Sequence, residues 1–346
     1  ESDTPWYAAA PARRSTNYHL YTPRHIEWHT LGPGTQGIEA VKSAIIQDGA
    51  VAVCMYWGGG FYQSGTDSHY QPPSDPNDPN HSIAAVGWDD AKATQAPTNG
   101  AWLCKNSWGS AWSGDGYFWI SYYDKHCGRH PEMGAVSFRQ VELDTVGDYY
   151  SHDFHGWRDT HAAASAFNAF TARGLERLEA VSFYTATQAV DWTIRVYRRF
   201  EGGALLDLQA AQTGRFVCAG FHTAALDSPV VLSPGRPFYI RLDLSAGGQA
   251  YDRTSTVDVL LDPAGPASAG AATPGPAPYE AGYFETLGKS LLLEGTEVVS
   301  RAEAGQSYYW DGSQWVDLTT DNSTANFCIK GLARPRPPTG ILFYLQ

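Results

Sequence analysis

Lys105-Asn106-Ser107-Trp108-Gly109-Ser110-Ala111-Trp112-Ser113-Gly114-Asp115-Gly116-Tyr117 is the stretch on which the reading of this chain turns. Ahead of it lies Ala101-Trp102-Leu103-Cys104, an apolar run that reads as a buried strand and ends at Asn106. Behind it, Gly116-Tyr117-Phe118-Trp119-Ile120-Ser121-Tyr122-Tyr123 reads as another. Working upstream, His81-Ser82-Ile83-Ala84-Ala85-Val86-Gly87-Trp88 and Ala50–Trp57 are two further buried strands. They are separated by Gly58-Gly59-Gly60 and a loop rich in Pro, Asp and Asn over 71–80. Before them, apolar residues at Ile38, Val41, Ile45 and Ile46 predict a short amphipathic helix, with Gly49 placed to stop it. Residues 1–35 look irregular. One helix followed by several antiparallel-looking strands predicts an α+β unit.

His81 opens one of these strands and Asn106 ends another, 25 positions on. If the strands pair antiparallel, an imidazole meets a carboxamide, with the Trp108 indole close enough to cover their hydrogen bond. Thiol-based acyl transfer needs a thiolate, an imidazole to hold it and protonate the leaving amine, and a polar group to orient the imidazole. His81 and Asn106 fit the second and third roles. The block Asn80 to Asp89 resembles the histidine strand of papain-like cysteine peptidases, and Lys105 to Tyr117 resembles their asparagine motif. Residues 1–7 resemble the segment introducing the second lobe of that family, and 36–57 the helix and strand before its histidine loop. The resemblance runs to about residue 142. It implies that His81 is the acid/base, Asn106 its orienter and Trp108 the shield, with no cofactor and no metal.

In that family the nucleophilic Cys, preceded by an oxyanion-hole Gln, lies on a helix of the first lobe, upstream of these motifs. Neither block is in this sequence. Cys54 sits in the apolar run Val51-Ala52-Val53-Cys54-Met55, Cys104 in the strand leading to Asn106, and Cys127 after the last peptidase-like strand. The expectation is therefore that the first lobe, carrying the Cys, is a partner supplied as a separate chain or removed. Glu1 rather than Met opens the sequence, without a charged and apolar leader, which also leads to the expectation of a processed, truncated or recombinant chain. The alternative is an inactive pseudo-peptidase that serves as a surface, glycan or protein binding and assembly module.

The pattern changes near 143–160. Strand-like runs follow at 166–172, 178–186, 190–198, 204–210, 215–222, 229–232, 237–244 and 255–261, with turns at short, even spacing. Asp311-Gly312-Ser313 between Ser307–Trp310 and Gln314–Leu318 signals a hairpin. Asn326–Leu332 makes a last strand. These predict an all-β sandwich or jelly roll. Leu178 to Thr185, Thr193 to Tyr197 and Gly305 to Leu318 resemble the lectin-like domain attached to bacterial and archaeal papain-like peptidases. The predicted organisation is a β-rich papain-like second lobe over 1–142, a lectin-like β-sandwich over 143–334 and an extended tail over 335–346. A Pro, Gly and Ala-rich excursion at 263–278 interrupts the sandwich.

Five cysteines leave at least one outside any intrachain pair, and Cys218 with Cys328 is a candidate disulfide. His152, Asp153, His155, Asp159 and His161 lack metal-motif spacing and read as structural or exposed. Trp310 and Trp315 offer rings for a sugar, or for cross-strand packing. A net charge of −12 without any basic run excludes a nucleic-acid binder of the usual kind. No apolar stretch has the roughly 18 residues of a membrane span. The expected partners are a peptide or protein substrate and a glycan or cell-surface ligand. The resemblance implies a secreted, extracellular or cell-surface location.

Overall fold

A computed structural model describes residues 21–58, 60–131, 133–143, 148–260 and 292–335. The 1–7 segment, the 263–278 stretch and the tail beyond 335, all singled out in the sequence, lie outside the described residues. The chain divides into two compact units. The first is built around His29–Asp144; the second around Thr145–Ser255 and the residues from Val299, and it also takes in Pro23–Trp28. That early segment lies within β1 (Tyr21–Trp28), a strand where the sequence suggested irregular structure. Its string Tyr-Thr-Pro-Arg-His-Ile-Glu-Trp has no apolar alternation to betray it.

In the first unit, helix α1 (Ile38–Asp48) starts after Gly37 and stops at Gly49, whose N–H caps the Ile45 carbonyl. Both flanking glycines have φ of 87°, a left-handed conformation that favours glycine. Ile38, Val41, Ala44 and Ile45 are buried, while Ile46 is exposed. Ile46 was expected on the apolar face, but at about 100° per residue it points away from the stripe that 38, 41 and 45 define.

The strands of this unit are β2 (Val51–Met55), β3 (Tyr62–Gln63), β4 (Ser68–His69), β5 (His81–Asp89), β6 (Ala101–Lys105), β7 (Tyr117–Ser121) and β8 (Val136–Leu143). They stand in the order β3-β4-β7-β6-β5-β2-β8. Only β4 and β7 run parallel; the other pairs are antiparallel. A one-turn helix α2 (Ser113–Gly116) leads into β7. α1 packs with Val51, Val53, Met55, Ile83, Ala85, Trp102 and Phe118 in one core. Against this core, β5 and β6 form a rigid rib with Ala84 opposite Lys105 and Ala85 opposite Cys104.

The second unit is a sandwich. Its strands are β9 (Asp148–Tyr150), β10 (Asp159–His161), β11 (Ser165–Thr171), β12 (Glu176–Thr185), β13 (Val190–Glu201), β14 (Ala204–Phe216), β15 (Ala219–Leu232), β16 (Pro237–Leu244) and β17 (Gln249–Asp252). Later come β20 (Ser307–Trp310), β21 (Trp315–Asp317), β22 (Asn326–Phe327) and β23 (Lys330–Pro335). β18 (Ser255–Leu260) and β19 (Leu292–Val298) form a two-stranded ladder of their own, which from Thr256 to Val298 is grouped with the first unit.

One sheet runs β1-β15-β12-β23-β9 and the other β14-β13-β16-β11-β20-β21, with a short β10-β17-β22 ladder beside them. Leu178, Val181 and Phe183 from the first meet Ile194, Val196, Ile240 and Leu242 from the second in one core. At Gly331 the sheets approach so closely that a Cβ would lie 2.9 Å from both the Ile240 and Leu178 methyls. The runs 204–210, 215–222 and 229–232 are in fact two long strands, β14 and β15, broken only at 217–218.

Cys218 and Cys328 are not bonded to each other. Cys218 precedes β15 and Cys328 precedes β23, and β12 lies between those strands. Two strand spacings put the pair on the order of 10 Å apart, beyond the reach of a disulfide. The metal-like run disperses as expected for structural residues. His152 stacks on Phe170, Asp153 pairs with Lys330, His155 faces the Val299 carbonyl, Asp159 pairs with Arg253, and His161 lies against Tyr309 and Asp321. Trp310 and Trp315 are cross-strand partners at 5.3 Å, and Trp315 also packs on Phe167.

Candidate active site

His81 is the first residue of β5, set opposite Met55 at the end of β2. Continuing the β5–β6 register past Ala84 and Lys105 brings the chain after Asn106 back alongside His81. The 106–116 loop is closed at its base by the Asn106 N–H, which donates to the Gly116 carbonyl at 2.9 Å. Gly116 has φ of 86°, and a Cβ there would lie 3.0 Å from the Gly109 carbonyl oxygen. Glycine is therefore required for the loop to turn back this tightly. Ser113 fastens the loop to its neighbours through Asp67 and through the Tyr62 hydroxyl at 2.6 Å. Hydrogen bonds donated to it by Ser113 first and by the Tyr62 hydroxyl, at 2.8 Å, second hold the Asp67 carboxyl below the usual carboxylate range.

The structure brings the three expected residues together. His81 Nε2 lies 2.8 Å from Asn106 Oδ1. Trp108 stacks on the imidazole, with ring centroids 4.8 Å apart and planes within 19°. The same carboxamide atom accepts the Ser107 backbone N–H at 2.8 Å. An amide N–H can only donate, so that atom is the oxygen, and His81 Nε2 must carry the proton it gives. The neutral ring then has its lone pair on Nδ1, which has no hydrogen-bond partner among the described residues. Asn106 is buried and its Nδ2 group has no partner either. Burial pushes the half-buried imidazole below the ordinary histidine range, and the Asn106 bond only partly opposes this.

The sequence missed what surrounds the pair. Trp57 meets Trp108 edge to face at 4.7 Å, and Trp112 does so at 5.1 Å. Asn80 clamps the Trp57 backbone in both directions, accepting its N–H at 2.7 Å and donating to its carbonyl at 3.1 Å. The residue before the histidine thus positions the aromatic wall beside the shield. The one available signal was the density of Trp and Tyr on either side of the 58–60 glycines. Deeper in, His69 lies 3.2 Å from Asp124, both fully buried, and Asp124 also accepts the Gln71, His126 and Cys127 N–H groups. Burial alone would raise the Asp124 carboxyl, but His69 and the backbone donors hold it low. This pair is closed to solvent and ties 69–71 to 124–127.

None of the unit's own thiols is placed to serve His81. Cys54 pairs with Ser82, one step from His81, so strand alternation turns it to the opposite face. Burial, with the Asp124 charge adding, pushes its thiol up to about 11. Cys104 and Cys127 are fully buried beside each other, and the Cys127 thiol is driven well above its usual range by Cys104 and by burial. Neutral buried thiols are poor nucleophiles.

Comparison with known proteins finds a match for each of the two regions. Residues 6–136 match the family described as papain family cysteine protease, and 149–259 match the lectin like domain. A cathepsin L-like peptidase of Aedes aegypti is 33% identical over 94 residues, covering 26% of each protein. Procathepsin L of Mus musculus is 34% identical over 94 residues, covering 26% of this chain and 27% of its own length. The chain thus spans about a quarter of the length of the curated relatives it matches. Among solved structures, the cysteine protease and lectin-like domains of Cwp84, a surface layer associated protein of Clostridium difficile, superpose with a TM-score of 0.68 at 21% identity. That match covers 95% of this chain and 67% of the other. A Cwp84 structure after propeptide cleavage gives 0.69 at 21% identity, covering 95% and 75%. The shared fold is a papain-like region followed by a lectin-like sandwich.

Proposed function

We propose that this chain, which joins a papain-family cysteine protease region to a lectin-like domain, is the His- and Asn-bearing part of a cysteine peptidase whose nucleophilic Cys comes from a first lobe outside residues 1–346. The carrying observation is the donated His81–Asn106 bond of 2.8 Å beneath the Trp108 ring, with no partner for Nδ1 among the described residues. A thiol brought to Nδ1 gives up its proton there, and the resulting imidazolium holds the thiolate. Sulfur attacks the scissile carbonyl. As the C–N bond breaks, Nδ1–H protonates the leaving amine and an acyl-enzyme remains. Nδ1 then takes a proton from water, whose oxygen displaces the thiolate and releases the acid. Asn106 keeps Nε2–H engaged throughout, which prevents the ring from flipping. Trp108 excludes water from that bond.

The deciding experiment is labelling with a thiol-directed peptide inhibitor, on protein isolated together with any companion lobe. The reading expects one labelled cysteine, on the companion lobe, and loss of labelling in His81→Ala. No labelled species under reducing conditions, or label on Cys54, Cys104 or Cys127, would overturn it. A second reading draws on the remoteness of the unit's own cysteines from His81: the region is a pseudo-peptidase scaffold and the sandwich binds a surface, glycan or protein. Absence of label favours that reading. The likeness to a surface layer associated protein supports an extracellular or cell-surface location, which surface biotinylation of intact cells would test.

A further inference from the structure

The sandwich brings together a second chemical cluster, remote in sequence from the motifs above. β1 pairs antiparallel with β15 so that His25 stands directly opposite His222, and Glu27, two residues on, shares their face opposite Gly220. The two imidazoles approach through Nδ1 to Nδ1, at 3.2 Å. His222 Nε2 lies 3.0 Å from the Cys218 carbonyl oxygen. A carbonyl only accepts, so Nε2 carries the proton and the His222 lone pair sits on Nδ1, aimed at His25. Donor atoms of His25, Glu27 and His222 all lie within 4.8 Å of one another.

The geometry points to a binding site for a divalent transition ion of the Zn2+ class, ligated by His25 Nδ1, His222 Nδ1 and the Glu27 carboxylate. Two nitrogens bound at about 2.0–2.1 Å to one tetrahedral ion stand about 3.3 Å apart, close to the separation of this pair. Two imidazoles with one carboxylate suit Zn2+ and its neighbours, not Ca2+ or Mg2+. The His222 ring already has the outer support that ligating histidines use, a backbone carbonyl on the other ring nitrogen. Phe216 stacks on His222 at 4.0 Å and stands edge-on to His25 at 5.6 Å, closing one side of the site with an apolar wall. His222 and Glu27 are buried, so both ligands are held in place by the packed sandwich. An ion here would fasten β1 to a strand 197 positions away, so it would act as a structural staple of the sandwich. Spacing within the sequence carries no sign of it.

The test is titration of the full chain, stripped with a chelator, with Zn2+ and with Co2+. One equivalent should bind, with Co2+ giving the visible bands of a low-coordinate nitrogen and oxygen site. Affinity should fall at least about tenfold in His25→Gln, His222→Gln and Glu27→Gln and stay unchanged in His155→Gln, an exposed histidine outside the cluster. Zn2+ should also raise the thermal midpoint of the parent chain, and that rise should vanish in His25→Gln. No uptake, or uptake unaffected by the cluster variants, overturns the site. Should His222→Gln fail to fold, His25→Gln at the half-buried position decides alone.

Discussion

Two buried asparagine sites, one in each unit, treat their polar groups in opposite ways. In the sandwich, Asn168, Ser307 and Asn326 form a sealed network. Asn168 Nδ2 donates to the Phe327 and Ile329 carbonyls at 2.8 and 3.0 Å. The Ser307 hydroxyl sits between Asn168 Oδ1 and Asn326 Oδ1, at 2.7 and 2.9 Å, and accepts the Phe327 N–H. Asn326 Nδ2 reaches the Arg301 carbonyl and Gln306. In the papain-like unit, Asn106 is almost as buried, yet among the described residues its Nδ2 group has no partner and the imidazole it holds keeps one nitrogen open. A satisfied network fixes a structure. An unfinished one, held rigid by aromatic walls, leaves capacity for a reacting group.

The largest effect expected from this contrast is on activity. With the Cys-bearing lobe in place, His81→Ala should lower kcat/KM for peptide hydrolysis on the order of 10^3-fold while leaving denaturant unfolding of the chain nearly unchanged. A loss of less than about tenfold would remove His81 from the chemistry. Next, Asn168→Leu should destabilise the sandwich by about 3 kcal/mol or more, because two carbonyls and a hydroxyl lose their partner at once. A urea transition that barely moves would show the network to be dispensable. Asn106→Ala sharpens the comparison: with two N–H groups losing their acceptor it should cost about 1–2 kcal/mol of stability, less than Asn168→Leu, but reduce activity on the order of 10^2-fold through a misaligned ring. Equal stability losses at Asn106 and Asn168 would erase the distinction.

The smallest effect concerns protons. Because burial holds His81 below its unfolded value, the unfolded chain binds the proton more readily. Stability therefore falls as pH drops from about 6.5 towards the lowered folded value, and is flat above. Trp108→Leu removes part of that burial, so an NMR titration should show the His81 pKa moving up towards the ordinary value. Docking of a thiolate should also raise it. A His81 titration that ignores Trp108 would mean the indole is not what dries the ring.

How much of this could be read from residues depends on range. His81, Asn106 and Trp108 were legible because their spacing and strand context are local, and a two-strand register is enough to join them. α1 was legible down to its glycine stop. Asn80 and Trp57 were not, since a backbone clamp between β2 and β5 shows only once the strands pair. The Cys218–Cys328 bridge was misjudged for the same reason: turn punctuation marks strands but not their order, and β12 separates the two. β1 was hidden by Pro23 and by polar residues that alternate with no apolar partner set. The His25–His222 pair depends on that unseen strand.

The silence of the thiols in the papain-like unit has a practical outcome. Cys54, Cys104 and Cys127 are all buried, and two of them are driven far from ionisation. In native buffer an alkylating reagent should find almost nothing to modify in that half of the molecule. The first adduct mass gained when a companion lobe is added would then report the arriving nucleophile against a quiet background, and the stoichiometry of that adduct would count assembled sites.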